Sequence, residues 1–285
     1  MSTLSNKIDF AVIINVNHAN PNGDPLNGNR PRYDYEGRGE ISDVAIKRKI
    51  RNRLMVEGYD VFVQSDDNKV DEYPSLRKRA EGEIKKEDWK DDKRFREAVC
   101  QKWIDVRAFG QLFAYSAQKK GEGVSVGIRG PVSIHPAFSV VPVLDRISSI
   151  QITKSVSGEG EGEKRASDTM GMKHRVDHGV YVFYGSMNPQ LASMTGFSNE
   201  DANAIKEALS TLFRNDASSA RPEGSMEVYR LYWWEHDSPN GQFSSAKVHR
   251  LLTVEPVSDA PKSIDDYTVK LGELSGLSCE TIEGE

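Results

Sequence analysis

Few stretches restrict a chain as tightly as residues 20–32, NPNGDPLNGNRPR. Pro21, Pro25 and Pro31 fix φ and remove backbone donors, while Asn22-Gly23 and Asn27-Gly28 supply residues that tolerate positive φ. The segment can be neither helix nor strand for long. It must turn sharply several times, which predicts backbone N–H groups and short amides pointing outward. The adjoining stretch, ISDVAIKRKIRNRL (41–54), reads as a short, very basic helix. Ser42 is its predicted N-cap, with Asp43 in the first turn where the helix dipole favours an acid. Ile46, Ile50 and Leu54 recur at i+4 and form the buried stripe. At about 100° per residue, Lys47, Arg48 and Arg51 share one arc, flanked by Lys49 and Arg53. A cationic helix beside an amide-rich loop suits a sugar–phosphate backbone, although five cations in seven positions can equally be a solvated face.

The rest of the chain gives this loop and helix their setting. Ile8–Val16 (IDFAVIINV) is apolar on both faces and reads as a buried strand. Tyr59–Val63 is a short strand candidate. Residues 64–94 are densely charged with few core residues, as a solvated helical or mobile insertion would be. Phe95, Val99, Trp103, Val106, Phe109 and Phe113 then mark a long amphipathic helix whose aromatic stripe packs into a core. Residues 121–130 are Gly-rich but lack both GxGxxG spacing and a P-loop GK[ST], so they suit close backbone approach or strand ends and not a nucleotide site. Val140–Val143 and Ile150–Ile152 read as strand pieces leading to Lys154 and a polar, glycine-tipped excursion, SGEGEGEKRASD, before the next strand-like segment, hence a projecting hairpin. Val180–Gly185 is a strong strand, Ser198 with Asp201 resembles a capping box, and Ala202, Ile205, Leu209 and Leu212 come next at helical spacing. Met226–Trp234 and Lys247–Val254 read as strands. Stripped of insertions the order is β-α-β, an interruption, then β-α-β-β, an α+β fold with a ferredoxin-like, RRM-type core.

Charge matters here through its distribution. The whole chain carries −5, which by itself argues against nucleic acid. From Glu255 onward there are 8 acids and 2 lysines, or −6, leaving 36 Lys/Arg against 35 Asp/Glu (+1) in residues 1–254. A neutral body with basic clusters at 44–53 and 164–175 implies a localised groove and no indiscriminate affinity. No run approaches the ~20 apolar residues of a membrane span, and Met1–Lys7 lacks the apolar core of a secretory signal, so a cytoplasmic setting without membrane contact is expected. Cys100 and Cys279 stand far apart, with neither disulfide nor metal spacing.

Several strings are specific enough to name a family. The loop and helix just quoted closely resemble the N-terminus of the backbone subunit of the type I-C CRISPR Cascade complex, a RAMP-superfamily protein. The resemblance recurs at GPVSIHPAFSVVPV, ITKSV, SDTMGMKHRVDHGVYVFYGSMNPQ, NDASSARPEGSMEVYRLYWWEH and SSAKVHR, covering roughly residues 8–254. It implies an RRM-like palm over residues 1–254, with a helical insertion at 64–117 and a thumb-like hairpin or web at 131–175; beyond it, residues 255–285 turn acidic and poor in long apolar runs and read as a peripheral or partly disordered tail. It also implies a non-catalytic subunit that polymerises along the CRISPR guide RNA and presents it to a target DNA strand. Its partners would be neighbouring copies and the other Cascade subunits: the repeat-end processing subunit, the large subunit and the small subunit. The competing reading is a RAMP-family endoribonuclease, and a generic RRM chaperone is weakened by the missing RNP1 aromatic signature.

A subunit that accepts any spacer cannot read base edges, and should grip phosphates and 2′-hydroxyls. In the loop and helix, the expected RNA contacts are Asn20, Asn22, Asn27, Arg30, Arg32, Lys47, Arg48, Lys49, Arg51 and Arg53. In the hairpin they are Lys154, Lys164, Arg165, Lys173, His174 and Arg175. No cofactor, metal or catalytic residue is expected. His174 and His178 fall in a strand, ~13 Å apart along it, with no evident third ligand. Asp24 and Asp34 lack an acidic cluster for two metals and read as structural, Asp24 capping a turn before Pro25. His18 and His174 are the only histidines near the expected groove that could do acid–base work on a 2′-hydroxyl.

Overall fold

A computed structural model describes residues 2–115, 124–154 and 169–285 of the chain. Strand β1 (Ile8–Ala19) is followed by two short strands, β2 (Gly23–Asp24) and β3 (Arg30–Pro31), then β4 (Arg38–Ile41) and helix α1 (Asp43–Val56). Helices α2 (Leu76–Glu83), α3 (Asp92–Lys102) and α4 (Ile104–Phe109) lead into β5 (Gly110–Tyr115) and β6 (Val124–Arg129). Next come β7 (Val132–Ile134), β8 (Ala137–Pro142), β9 (Ile147–Lys154) and the 19-residue β10 (Thr169–Met187). Helices α5 (Pro189–Thr195) and α6 (Asn199–Ser210) precede β11 (Met226–Glu235), and α7 (Ser245–His249), β12 (Leu252–Pro256), β13 (Tyr267–Leu271) and β14 (Cys279–Glu283) complete the chain.

The central sheet runs β14-β11-β1-β10-β8-β4, with every pair antiparallel. Its middle four strands, taken with α1 and α6, occur in the sequence as β1-α1-β8-β10-α6-β11. That is the β-α-β-β-α-β order of a ferredoxin-like core, within a mixed α+β fold. From Phe10 to Ile14 strand β1 is apolar without interruption because both of its faces are covered. Phe10, Val12 and Ile14 pack on one face against Ile46, Ile50 and Leu54 of α1 and Ile205 and Leu209 of α6. Ala11 and Ile13 face the other way, into a second layer with Val180, Trp234, Val248, Leu252 and Tyr267. Each fully buried Ile or Phe contributes about 1.5–3 kcal/mol, so burial on both faces makes β1 the most firmly held strand of the sheet.

That second layer corrects the expectation for the C-terminal segment. Residues 255–285 are not a loose tail: β13 pairs with β12 over the second face, and β14 extends the sheet beside β11. The Lys247–Val254 strand is also revised, because Ser245–His249 is one turn of helix and the strand begins only at Leu252.

The charged insertion builds its own small core from Phe62, Ala80, Ile84, Phe95, Val99, Trp103, Phe113 and Val126. The long helix expected through Phe113 breaks twice. Trp103 takes extended angles between α3 and α4, and Gly110 turns with φ 79° into β5. A side chain at Gly110 would sit 2.3 Å from the Ile128 carbonyl oxygen, so the turn requires glycine. Residues 59–63 are not a strand. The Phe62 and Val63 N–H groups donate instead to the buried Asp105 carboxylate at 2.7 and 3.1 Å. Arg107 ties the insertion to the core through a two-pronged pair with Asp201 (2.9 and 2.7 Å). Asp201 also completes the expected capping box with Ser198.

The hairpin reading holds in its described part. β10 pairs with β1 from Met187 back to Val176, where β1 ends at Ala19. Its N-terminal half, Thr169–Val176, continues beyond β1, paired with β9.

Candidate nucleic-acid interface

The loop is braced from within. β2 and β3 form a two-rung ribbon around a single turn at Pro25–Asn27, with Gly28 and Asn29 both left-handed at φ 59° and 60°. A Cβ at Gly23 would stand 2.0 Å from the Asn29 amide oxygen, which is why the first Asn-Gly step is needed. The amides expected to face outward divide. Asn20 is buried and donates to the Asn29 carbonyl at 2.7 Å, and the Asn22 oxygen accepts from the Ser42 N–H and hydroxyl, both at 3.0 Å. Both therefore hold the loop against the start of α1, and Asn27 alone of the three is exposed. Ser42 caps α1 as expected, accepting from Ala45 N–H at 3.3 Å.

Asp24 accepts from Leu26 N–H (3.1 Å) and lies 3.4 Å from Arg32; Asp34 accepts from the N–H groups of Glu36 and Arg38, both at 2.9 Å. Both carboxylates shape turns, as the sequence implies. Among the described residues, no three His, Cys, Asp or Glu side chains gather as a metal site would require.

The cations of α1 are placed differently from what an exposed basic arc would require. Lys47 pairs with Asp43 at 2.9 Å, and Arg48 donates to the Val63 carbonyl at 2.7 Å. Lys49, 7% exposed at its side chain, pairs with Asp216 and lies over the Phe213 ring. Arg51 meets Asp105 at 2.8 Å and covers Phe109. Arg53, 4% exposed at its side chain, binds Glu57 at 2.6 Å and the Thr211 hydroxyl at 3.1 Å. Burial, with the nearby Arg51 cation second, pushes Arg48 below its ordinary value; burial likewise lowers Lys49. For Lys49, Arg51 and Arg53 the physical reason is the same. A long cation next to the core is stable only with an acid brought to it, and Asp216, Asp105 and Glu57 supply those acids. These three side chains pin α1 to the α6–β11 turn and to the insertion.

The open cations lie on the other side of the loop. β3 packs against β10 and places Arg30 near His174, whose neighbours along the projecting half of the strand are Lys173 and Arg175; Arg32 follows β3. Arg30 and Lys173 make no ion pair among the described residues, and Arg175 has only a 3.5 Å contact with Asp177. His174 is buried, its Nδ1 2.7 Å from the Ser149 hydroxyl; burial first, and Arg30 second, push it below its ordinary pKa. It is thus a neutral polar group near pH 7 and no fixed cation. His18 has left-handed backbone (φ 51°), is exposed, and places Nδ1 3.4 Å from Asp177. His178 faces away, bound to Asn17 at 2.9 Å. Lys154 ends β9, with its side chain outside the described atoms, and Lys164 and Arg165 lie outside the described residues.

Comparison with known proteins adds the decisive fact: the family model for CRISPR-associated protein Cas7 matches residues 6–272. The chain belongs to the Cas7 family. A CRISPR-associated protein Cas7 of Haloferax volcanii is 27% identical over 296 aligned positions, covering 99% of this chain and 84% of that one. Two solved structures align more distantly. A chain of a CRISPR RNA-guided surveillance complex, pre-nicking, gives a TM-score of 0.45 at 13% identity, over 85% of this chain and 81% of the other. A chain of a second CRISPR RNA-guided surveillance complex gives 0.42 at 16% identity, over 80% and 68%. The Cas7 match spans β1 to β13, and so includes the loop, α1 and the β9–β10 hairpin together.

Sequence reasoning missed which of its sixteen residues face inward. A signal was present for some of them. Lys49 and Arg53 lie one position from Ile50 and Leu54 of the buried stripe, where a long side chain either runs along the core or finds an acid. For the partners Asp105 and Asp216, 54 and 167 residues away from Arg51 and Lys49, no local signal exists.

Proposed function

We propose that this Cas7-family chain is a non-catalytic backbone subunit of a type I-C Cascade complex, holding guide RNA along the face formed by the loop, β3 and the β9–β10 hairpin. The observation that carries the reading is a hairpin that extends past the end of β1 and carries Lys173, beside β3, whose Arg30 lies near His174; neither cation has an ion pair among the described residues. Phosphates bind where cations are not already neutralised, and no base-reading geometry is needed for a guide of arbitrary sequence. Arg32, Arg175 and exposed Asn27 extend this surface. Lys154, Lys164 and Arg165 stay with it as proposed contacts of the hairpin, and His174 offers a neutral hydrogen-bonding edge for a 2′-hydroxyl. Lys47 and Arg48, half-exposed on α1, are proposed as peripheral contacts only. Guide pairing supplies the sequence specificity toward target DNA, and copies of the subunit together with the other Cascade components complete the particle. No membrane contact is required, and among the described residues no helix is long and apolar enough to cross a membrane.

The test is purification of the chain with whatever nucleic acid it retains, then sequencing of that nucleic acid and incubation with Mg²⁺ or EDTA. The expected result is a defined repeat–spacer RNA carried by several copies and left uncut. Specific cleavage abolished by Asp24→Ala, Asp34→Ala, His18→Ala or His174→Ala would establish the endoribonuclease alternative instead.

A further inference from the structure

The second face of the sheet is not covered to its end. The layer of α7, β12 and β13 reaches as far as Val254 and leaves a trough of about 380 Å³ over β10 and β8. Phe138, Val140, Val182 and Tyr184 form its floor, with His135 and Arg38 at its rim. Phe138 and Val182 are cross-strand partners, so their side chains stand together on this face. The Phe138 side chain is 39% exposed, unusual for a phenylalanine in the middle of a strand. The other rings are fixed. Tyr184 stacks on His249 at 4.9 Å, His135 meets His249 edge-on at 5.7 Å, and His249 sits 3.1 Å from the Gly185 carbonyl oxygen. Arg38 is 45% exposed at its side chain, and its only ion pair among the described residues is a 3.3 Å contact with exposed Glu36. No acid lines the trough itself; Glu36 pairs with Arg38 at its rim, and Glu40 stands across from Phe138 on β4.

A rigid aromatic floor beside a weakly held guanidinium is complementary to one kind of occupant. The ring takes a flat π-face of any identity, and the fork takes a phosphate. We propose that the trough holds one nucleotide of a single-stranded nucleic acid, its base stacked on Phe138 and its phosphate on Arg38. The proposal deepens the RNA-binding reading and rests on it. It also accounts for the missing RNP1 signature. The central strand, where such aromatics would stand, is sealed by the C-terminal layer over Ala11 and Ile13, and the open aromatic has moved outward to β8.

The experiment uses the full chain and a single-stranded RNA carrying 4-thiouridine, irradiated and mapped by mass spectrometry. Titrations are then made with that RNA and with uridine monophosphate. Adducts at His135, Phe138 or Tyr184 are expected, with about tenfold weaker RNA affinity in Phe138→Ala, near-normal affinity in Phe138→Tyr, and an unchanged unfolding midpoint in both. Adducts confined to residues 18–35 and 147–175, with Phe138→Ala binding normally, overturn the stacking site while the RNA reading survives. Monophosphate bound as tightly as the oligonucleotide overturns the strand as occupant. If Phe138→Ala changes only the mass of the assembled particle, the trough is a protein contact and the proposal fails. A wild-type chain that binds neither probe removes both readings.

Discussion

Helix α1 and the projecting half of β10 carry similar cations in similar numbers per residue, and the fold treats them in opposite ways. On α1 each of five basic side chains has a partner, four of them acids. On β3 and β10, Arg30 and Lys173 have no acid among the described residues, and Arg175 has only a marginal contact. The difference lies in what each element packs against. α1 is wedged between the sheet, the insertion and the α6–β11 turn, so its cations lie where low dielectric makes an unpaired charge untenable. The hairpin has gone past the end of β1, where water solvates a free cation at no cost. Basic density in a sequence therefore marks two different things: glue where the element is enclosed, and solvated charge open to a ligand where it projects.

The contrast is tested most severely by removing an acid that serves α1. Asp105→Ala leaves Arg51 buried without a counter-charge and the Phe62 and Val63 N–H groups without acceptors. Loss of a partner in a buried pair costs about 3–5 kcal/mol. Urea denaturation of Asp105→Ala should show a loss of that order, and a loss below about 1 kcal/mol would mean that the pairs on α1 do not hold it in place.

A smaller effect is expected from Ser42→Ala, which removes the N-cap and one of the two hydrogen bonds to Asn22 at once. About 1 kcal/mol of stability should be lost, with the loop's proton-exchange protection falling alongside it. Lost stability without altered loop exchange would separate the cap from the brace.

Smaller again is a dependence on pH. Burial lowers His174, His178 and His249 below the ordinary imidazole value of about 6.5. The unfolded chain therefore binds protons first as pH falls. Stability is complete above about pH 6.5 and declines below it toward the lowered folded values. His178→Asn should flatten the slope of unfolding midpoint against pH between about 7 and 5. An unaltered slope would assign the effect to the other two.

How far the sequence alone reached can be judged element by element. The loop, the Ser42 cap, the Ser198 capping box and the strands that flank them were legible, because each is dictated by residues within a few positions of one another. The α+β order was legible for the same reason. The C-terminal layer was not, since β12 to β14 are short and charged on their outer sides, and only the pairing of β12 with β13 and of β14 with β11, with burial of Tyr267 and Leu252, makes them structure. Yet β1 held the clue: a strand with Ala11 and Ile13 as apolar as Phe10 and Val12 demands a second cover. The break at Trp103 and the loss of the 59–63 strand both trace to Asp105, whose role depends on residues 42 and 43 positions away. In the candidate interface, Arg30 lies near His174 because β3 docks on β10, a contact across some 140 residues that periodicity cannot reveal.

That open cations on the loop and hairpin, and not the paired cations of α1, hold nucleic acid is tested by salt dependence. Affinity of the full chain for a single-stranded RNA would be measured from low to moderate salt for Arg30→Ala/Lys173→Ala and for Lys47→Gln/Arg48→Gln. Each phosphate contact on a single strand contributes about 0.7 to the slope of log K against log salt. The first pair of changes is predicted to lower the slope by roughly 1.4 with no change in the unfolding midpoint, and the second to lower it by less than half as much. An unchanged slope in the first variant, or the larger loss in the second, would contradict this assignment.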